Sequence, residues 1–201
     1  MQSAYRSLSA VALALLSASA FASTVTYSSS ASFLANLQPG SYTEGFNGLA
    51  NPAPASFSGS GFSYNVSSPL DIYASGDFLG TSLPYEELTI TFTSGNVTAV
   101  GGNFFASLVS DAFAAGVMNI VLSDGTSASF TPTSAAVGSY RGFTSDVAIT
   151  SLKLTVSNFP LDSLYAGLDN LTVGTAVPEP TSWMLAGLGL AGLLVTRRRS
   201  A

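Results

Sequence analysis

The central part of the chain, residues 23–176, consists of short segments in which apolar and polar residues alternate. The clearest is segment 88–93, Leu-Thr-Ile-Thr-Phe-Thr, whose apolar residues would all point to one side. A period of two is typical of a β-strand with one buried face. Gly, Pro, Asn and Asp separate the segments, and Asp124-Gly125 between two of them is a strong signal for a hairpin turn. The paired glycines Gly101-Gly102 indicate a bulge or a close approach of two backbones.

These segments predict an all-β fold, an antiparallel β-sandwich of the jelly-roll type. About ten strands are expected, and no long amphipathic helix interrupts them. An immunoglobulin-like sandwich is the alternative, because the order of the strands cannot be read from the sequence; a count above about seven favours the jelly roll. One helical turn is expected within residues 30–37, with Phe33, Leu34 and Leu37 on one side and Pro39-Gly40 at its end. The predicted strands cover residues 24–28, 42–47, 62–67, 70–73, 88–93, 97–105, 117–122, 127–131, 140–143, 148–156 and 164–173.

Composition excludes several kinds of chemistry. The chain has no Cys and no His, which excludes Ser-His-Asp and Cys-His catalysis and zinc sites with nitrogen or sulfur ligands. Between Ser23 and Ala176 the cations are Arg141 and Lys153, against ten Asp and Glu residues, the chain's 11 less Glu179. An acidic domain repels phosphate backbones, so we expect no nucleic acid as a partner. Roughly 150 central residues suffice for one domain with its own core.

Residues 1–22 have the features of a secretory signal peptide. Arg6 supplies a positive start, Leu8–Leu16 an apolar stretch, and Ala20-Phe21-Ala22 a small-x-small signature before Ser23. We therefore predict passage through the secretion machinery and cleavage between Ala22 and Ser23 by signal peptidase. An uncleaved N-terminal anchor is the alternative, and the shortness of the apolar stretch disfavours it.

The C-terminal segment, residues 177–201, has three parts that follow Thr175-Ala176, a minimal linker. Val177, Pro178, Glu179 and Pro180 form the first, in which the prolines fix φ and withhold backbone donors, so this stretch should be extended and accessible. An uncharged run from Trp183 to Val195 follows; as a helix it would span roughly 20 Å, less than the ~30 Å hydrocarbon core. Three arginines then supply a positive-inside anchor. The predicted membrane-anchor residues are Trp183, Leu185, Leu188, Leu190, Leu193, Arg197, Arg198 and Arg199.

These three parts, in this order, resemble the PEP-CTERM sorting signal over about the last 25 residues. The resemblance implies that an exosortase, a membrane transpeptidase-like enzyme, processes the chain. It also implies export across the inner membrane of a Gram-negative bacterium, transient association with that membrane, and delivery to the cell surface or to an exopolysaccharide or biofilm matrix. An ordinary C-terminal anchor or a buried helix is the alternative. A buried helix would not end in three arginines, and an ordinary anchor needs no Pro-Glu-Pro.

Two acidic residues form the candidate metal site. Glu44 lies in an early predicted strand, and Asp169-Asn170 lies in the last one. This pattern resembles carbohydrate-binding modules and lectin-like sandwiches, in which first and last strands lie side by side and such residues hold a structural calcium. Two carboxylates, Asn170 and backbone carbonyls would form the oxygen shell that Ca²⁺ prefers. The alternative is that Asp169 only hydrogen bonds at a strand end and that Glu44 is solvated.

Three functions are consistent with these features. The first is a non-enzymatic surface or matrix protein sorted by exosortase, and no catalytic residue is predicted. The second is a carbohydrate-binding module, with calcium as its possible cofactor. The third is a secreted glycoside hydrolase with two carboxylates, for which Asp71 and Asp77 are the pair considered. The first accounts for both termini and for the absence of catalytic residue types, and it is favoured.

Overall fold

The protein is described by a computed structural model, which covers residues 23–157 and 163–178 together with Gly187 and Gly189. Within the described part of 23–178 there are fourteen strands and one short helix, α1, at Ser30–Leu34. The strands are β1 Thr24–Tyr27, β2 Tyr42–Glu44, β3 Ser56–Gly59, β4 Phe62–Ser67, β5 Ile72–Ala74, β6 Leu79–Thr81, β7 Leu88–Phe92, β8 Ala99–Ser107, β9 Phe113–Ala114, β10 Val117–Leu122, β11 Ser127–Phe130, β12 Tyr140–Ser145, β13 Ser151–Ser157 and β14 Tyr165–Gly174.

The strands form two antiparallel sheets. The larger sheet has the order β1-β12-β8-β14-β6-β5, with β2 also paired to β14 and β9 to β8, and the smaller sheet has the order β11-β10-β13-β7-β4-β3. Side chains from both sheets belong to one core cluster, so the predicted β-sandwich is confirmed; the jelly-roll subclass stays a prediction. Strands β3, β6 and β9 were not predicted. β6 has three residues and β9 has two, too few for a period to be recognised.

Alternation along the strands accounts for the core. In β7 the residues Leu88, Ile90 and Phe92 are buried, and they face residues of the larger sheet such as Phe104 and Leu168 in the same cluster. Turn chemistry accounts for the predicted hairpin. β10 and β11 pair across the Asp-Gly turn, in which Gly125 has φ 88°, a conformation that glycine adopts without steric cost.

Helix α1 packs on the outer face of the larger sheet, the face turned away from the smaller sheet. Its Phe33 is fully buried, with ring contacts to Tyr27 at 6.0 Å and Tyr140 at 6.1 Å between centroids. The ring lies directly on backbone, since a Cβ atom at Gly142 would come within 2.6 Å of Phe33 Cδ2 and one at Gly101 within 3.0 Å of Phe33 Cε1. The close approach of backbones predicted at Gly101-Gly102 is confirmed by other distances: a Cβ atom at Gly101 would lie 3.1 Å from Gly142 Cα, and one at Gly102 would lie 3.2 Å from Asp169 O.

The expectation that Leu34 shares the buried side of the helix is wrong. Leu34 is 47% exposed, whereas Leu37 packs against the Phe33 cluster. A helix of five residues makes little more than one turn, and neighbouring side chains on it point about 100° apart. With Phe33 directed at the sheet, Leu34 lies at the side of the contact, where it lines a cleft.

Several predictions lie outside the described residues. They are the signal peptide 1–22, the motif residues Glu179 and Pro180, and the anchor residues from Trp183 to Arg199. Among the residues that the structure describes, no helix has the length and apolar character needed to cross a membrane.

Candidate functional site

A cleft of about 570 Å³ lies on the outer face of the larger sheet, beside α1. Its floor comes from neighbouring strands: Asp169 of β14 lies opposite Asn103 of β8, and Thr172 of β14 lies opposite Thr43 of β2. Each of these four residues alternates with a core residue, and therefore points away from the core. The lining residues are Ser30, Leu34, Thr43, Asp77, Phe78, Asn103, Phe105, Ala135, Ala136, Tyr140, Asp169, Asn170 and Thr172.

A β-bulge shapes the polar end of the cleft. The register of β14 against β8 shifts between Asp169 and Thr172, and Asn170 has φ 50°. The extra residue lets Asp169 and Asn170 both line the cleft while Leu171 returns to the core. Asn170 also holds the carboxylate, since its backbone N donates to Asp169 Oδ1 (2.6 Å) and its Nδ2 donates to Asp169 Oδ2 (2.7 Å).

The cleft is acidic. Burial raises the pKa of Asp169, the hydrogen bond from the Asn170 backbone opposes this rise, and the nearby charge of Asp77 adds to it. The residues that line the cleft include no cation. The two cationic side chains of the described region interact elsewhere. Lys153 Nζ pairs with Glu87 Oε1 at 2.9 Å, and Arg141 Cζ lies 3.6 Å from the centroid of the Phe130 ring.

A smaller depression of about 140 Å³ adjoins the cleft, with Phe78 in the wall of both. Its lining includes Tyr73, whose hydroxyl donates to Asp111 Oδ2 at 3.0 Å, and Thr81. Thr81 is 1% exposed, and its hydroxyl has no hydrogen-bond partner among the described residues. A buried hydroxyl without a partner is uncommon, and here it lies beside an open space.

The predicted calcium pair is only half assembled. β2 does lie beside β14, with Glu44 opposite Leu171. Glu44 therefore shares the face of the buried Leu171, whereas Asp169 points to the outer face. Glu44 accepts hydrogen bonds from the Tyr42 hydroxyl and from the Phe46 backbone N (3.1 Å). Burial and the hydrogen bond to Glu44 raise the pKa of Tyr42 to about 12, so Tyr42 remains a donor at neutral pH.

The strands thus meet, but their carboxylates do not. Within 23–157 and 163–178 there is no group of three or more Asp and Glu residues placed to hold a metal ion. Calcium binding stays a prediction. Asp71 and Asp77 do not form a pair in the cleft either, because Asp77 lines it and Asp71 does not; Asp71 Oδ1 accepts from the backbone N of Ile72 at 2.8 Å.

The neighbourhood of Asp77 and Asp169 was not predicted from the sequence. It depends on the pairing of β14 with β6, in which Leu168 lies opposite Leu79. β6 is one of the strands without a readable period. No signal in the sequence connects residue 77 with residue 169.

Hydrogen bonds hold residues 175–177, where the C-terminal segment begins, against the domain. We call this set of bonds, from 175–177 to Asn36, Gln38 and Thr98, the tail clamp. Gln38 N donates to Thr175 O (2.8 Å), Ala176 N to Thr98 Oγ1 (2.8 Å), and Val177 N to Asn36 O (2.9 Å). Thr175-Ala176, expected to be a linker, therefore belongs to the folded domain.

Comparison with known proteins identifies this C-terminal segment. Residues 176–199 match the family model described as the PEP-CTERM protein-sorting motif. The motif is recognised by exosortase, and it implies export and a cell-surface or extracellular location in Gram-negative bacteria. No curated protein and no solved structure matches the chain. The match begins within the tail clamp.

Proposed function

We propose that this protein is a non-enzymatic component of an exopolysaccharide or biofilm matrix, and that its sandwich holds polysaccharide in the outer-face cleft. The sorting motif at 176–199 supports delivery to the exterior. The observation that carries the role of the domain is the cleft itself: an open site on a sheet face whose lining combines apolar surface with carboxylates, amides and hydroxyls and includes no cation.

The chemistry of the cleft suits a hydroxyl-rich sugar without negative charge. Sugar hydroxyls donate to the carboxylates of Asp77 and Asp169, and the amide of Asn103 both donates and accepts. A uronic acid or a phosphate would be repelled by the two carboxylates, since no lining residue is a cation. The volume of about 570 Å³ lies within the usual range of ligand sites. Phe78 and Phe105 line the cleft in edge-to-face contact at 5.1 Å between centroids, but they are only 7% and 4% exposed. The 47% exposed Leu34 therefore offers more of the apolar surface for the C–H face of a sugar ring.

Binding fits this geometry better than hydrolysis does. A glycosidase needs one carboxylic acid that donates a proton to the leaving oxygen. Burial raises the pKa of Asp169, but both of its oxygens already accept hydrogen bonds from Asn170, which leaves less of the carboxyl group free to present a proton to a substrate. Incubation with candidate polysaccharides should therefore release no reducing sugar. Release that Asp77→Asn or Asp169→Asn abolishes would make the protein a hydrolase.

Sorting is tested by the intact mass of the protein recovered from the cell surface. In a host with an exosortase, the mass should show loss of the segment after Val177-Pro178-Glu179-Pro180. In the same host without the enzyme, the segment should remain. A surface protein that keeps Arg197, Arg198 and Arg199 in the presence of exosortase would contradict the proposal.

Polysaccharide binding is tested with purified protein and three immobilised polymers: neutral, amino-sugar and uronic acid. We expect retention on a neutral or amino-sugar polymer and none on the uronic acid polymer. Asn103→Ala should weaken retention about tenfold, the usual cost of one lost polar contact. Asn119→Ala is the matched control, because Asn119 lies in β10 of the smaller sheet. Equal retention of both variants would argue against the cleft.

A carbohydrate-binding module with a structural calcium is the alternative form of this proposal. It predicts that a chelator lowers both retention and the unfolding temperature, and that Ca²⁺ restores them. Asp169→Asn would remove the calcium response. Retention that is the same with and without chelator would contradict this alternative and support a cleft that binds polysaccharide without calcium.

A further inference from the structure

The tail clamp ends at the residue that precedes the Pro-Glu-Pro sequence. Val177 N donates to Asn36 O, and Leu37 forms a β-bridge with Ala176. Gln38 Nε2 adds a bond to Ala176 O at 3.1 Å. Among the described residues, the last one hydrogen-bonded to the domain is therefore the direct neighbour of Pro178, so the Pro-Glu-Pro sequence begins at the surface of the sandwich.

The length of the chain brings the membrane close as well. Six residue steps separate Val177 from Trp183, the first residue of the predicted membrane run. At 3.3–3.6 Å per extended residue they span at most about 22 Å. While that run is inserted, the end of the sandwich that carries α1 lies within this distance of the bilayer surface. A membrane enzyme that works between the two is therefore held close to the domain.

The surface around the clamp is suited to such a contact. The segment itself, residues 30–38 with Val177, has no charged side chain, and the nearest carboxylates named on this side, Asp77 and Asp169, lie in the cleft that Ser30 and Leu34 border. Around the clamp Leu34 is 47% exposed and Val177 is 50% exposed, and Asn36 is also at the surface. Charged residues are depleted at the centres of protein interfaces, because burying a charge without a partner is costly.

We propose that exosortase docks on this α1 face, residues 30–38 together with Val177, and takes the folded sandwich with its clamp closed as its substrate. This inference rests on the proposed processing by exosortase. The domain then contributes to recognition, and the tail is not the whole signal.

The test introduces charge at Asn36 and measures the rate of tail removal by pulse-chase in a host with exosortase. Asn36→Asp and Asn36→Lys should each slow processing at least fivefold, because a charge of either sign must be desolvated on docking. Asn36→Ala loses the same Nδ2 bond to Ser32 O without adding charge, and should be processed at nearly the wild-type rate. Asn119→Asp and Asn119→Lys, on the smaller sheet, should have no effect.

A spacer separates docking from folding. Insertion of Gly-Ser-Gly-Ser-Gly-Ser-Val after Val177 keeps a valine before Pro178 but moves the motif off the domain. In the protein with this insertion, processing no longer depends on the α1 face. The Asn36 variants that carry the insertion should therefore be processed as fast as the protein that carries the insertion alone. Slow processing that the spacer does not relieve would overturn the inference, because it would indicate a folding defect.

Two further outcomes would also overturn it. One is wild-type processing of Asn36→Asp and Asn36→Lys at native spacing. The other is faster processing of the Lys variant than of wild type, which would indicate attraction to an anionic lipid surface rather than docking on an enzyme. If wild-type protein itself keeps its tail, the proposed function fails instead, so the two failures are distinguishable.

Discussion

Replacing Gly142 by alanine should push Phe33 off the larger sheet. The new Cβ atom would lie 2.6 Å from Phe33 Cδ2 and 2.7 Å from its Cγ, whereas carbon atoms in favourable contact lie about 3.5–4.0 Å apart. The ring would have to move by about 1 Å, and Phe33 is 0% exposed, so other atoms already cover it. Overpacking of this kind costs about 1–3 kcal/mol. We expect about 2 kcal/mol, since a single helical turn can shift in part.

A double-mutant cycle isolates this contact. Phe33→Ala should cost about 3 kcal/mol, the lower end for a buried phenylalanine, because its cluster lies on the outer face rather than in the main core. Once the ring is gone, the added methyl of Gly142→Ala has room. The double mutant should therefore cost about 3 kcal/mol and not about 5, a coupling of about 2 kcal/mol.

The assay is urea unfolding of the full chain in mild detergent, followed by far-ultraviolet circular dichroism. The free energies of unfolding of the four proteins are compared at similar m-values. Additive costs, or a neutral Gly142→Ala, would refute the reasoning. Tryptophan emission is a poor substitute, because the one Trp of the chain is Trp183 in the C-terminal segment.

Three other substitutions test separate features, two by urea unfolding and Asp77→Asn by thermal unfolding. Thr81→Val should raise the free energy of unfolding by about 1 kcal/mol, because it replaces a buried hydroxyl without a partner by a methyl group of the same shape; a loss of stability would contradict this. Asp77→Asn should raise the unfolding temperature slightly at pH 7 and leave it unchanged at pH 3. The pKa of Asp169 is raised in the folded state, so the stability of the protein falls as pH rises through this pKa, and removing the Asp77 charge reduces that fall. Lys153→Ala should cost less than about 0.5 kcal/mol, since Lys153 is 50% exposed in its pair with Glu87. That cost should vanish in about 1 M salt.

Local chemistry explains what the sequence could predict of the fold. A period of two in β7 is enough to assign its buried face, and Asp124-Gly125 adopts the turn that its φ preference favours. Both depend on a few consecutive residues. The sorting motif was also found from its residue types and their order, because its parts are contiguous.

The candidate site depends on long-range pairing and on one irregularity. The bulge at Asn170 shifts the alternation, so simple counting from Leu168 would place Leu171 on the outer face, whereas it is buried. The face of Glu44 follows only from its pairing with Leu171. The paired glycines Gly101-Gly102 lie opposite the bulge and are a signal for it, but no local signal assigns the extra residue to β14 or gives β2 its partner strand. The opposite faces of Glu44 and Asp169 could not be predicted for that reason.

The N-terminal end of the domain is held by hydrogen bonds between Ser23 and Asp146. Ser23 N donates to Asp146 Oδ1 at 2.8 Å, and Asp146 N donates to Ser23 O at 3.2 Å. In the precursor, Ser23 N is a neutral peptide N–H. Cleavage after Ala22, where we predict it, turns this nitrogen into an α-ammonium group with a pKa of about 8 and makes its bond to Asp146 charge-assisted. Cleavage would then add a third positive charge to the domain, beside the side chains of Arg141 and Lys153. The new N-terminus would form an ion pair with Asp146 without any rearrangement, because the hydrogen bond already exists before cleavage.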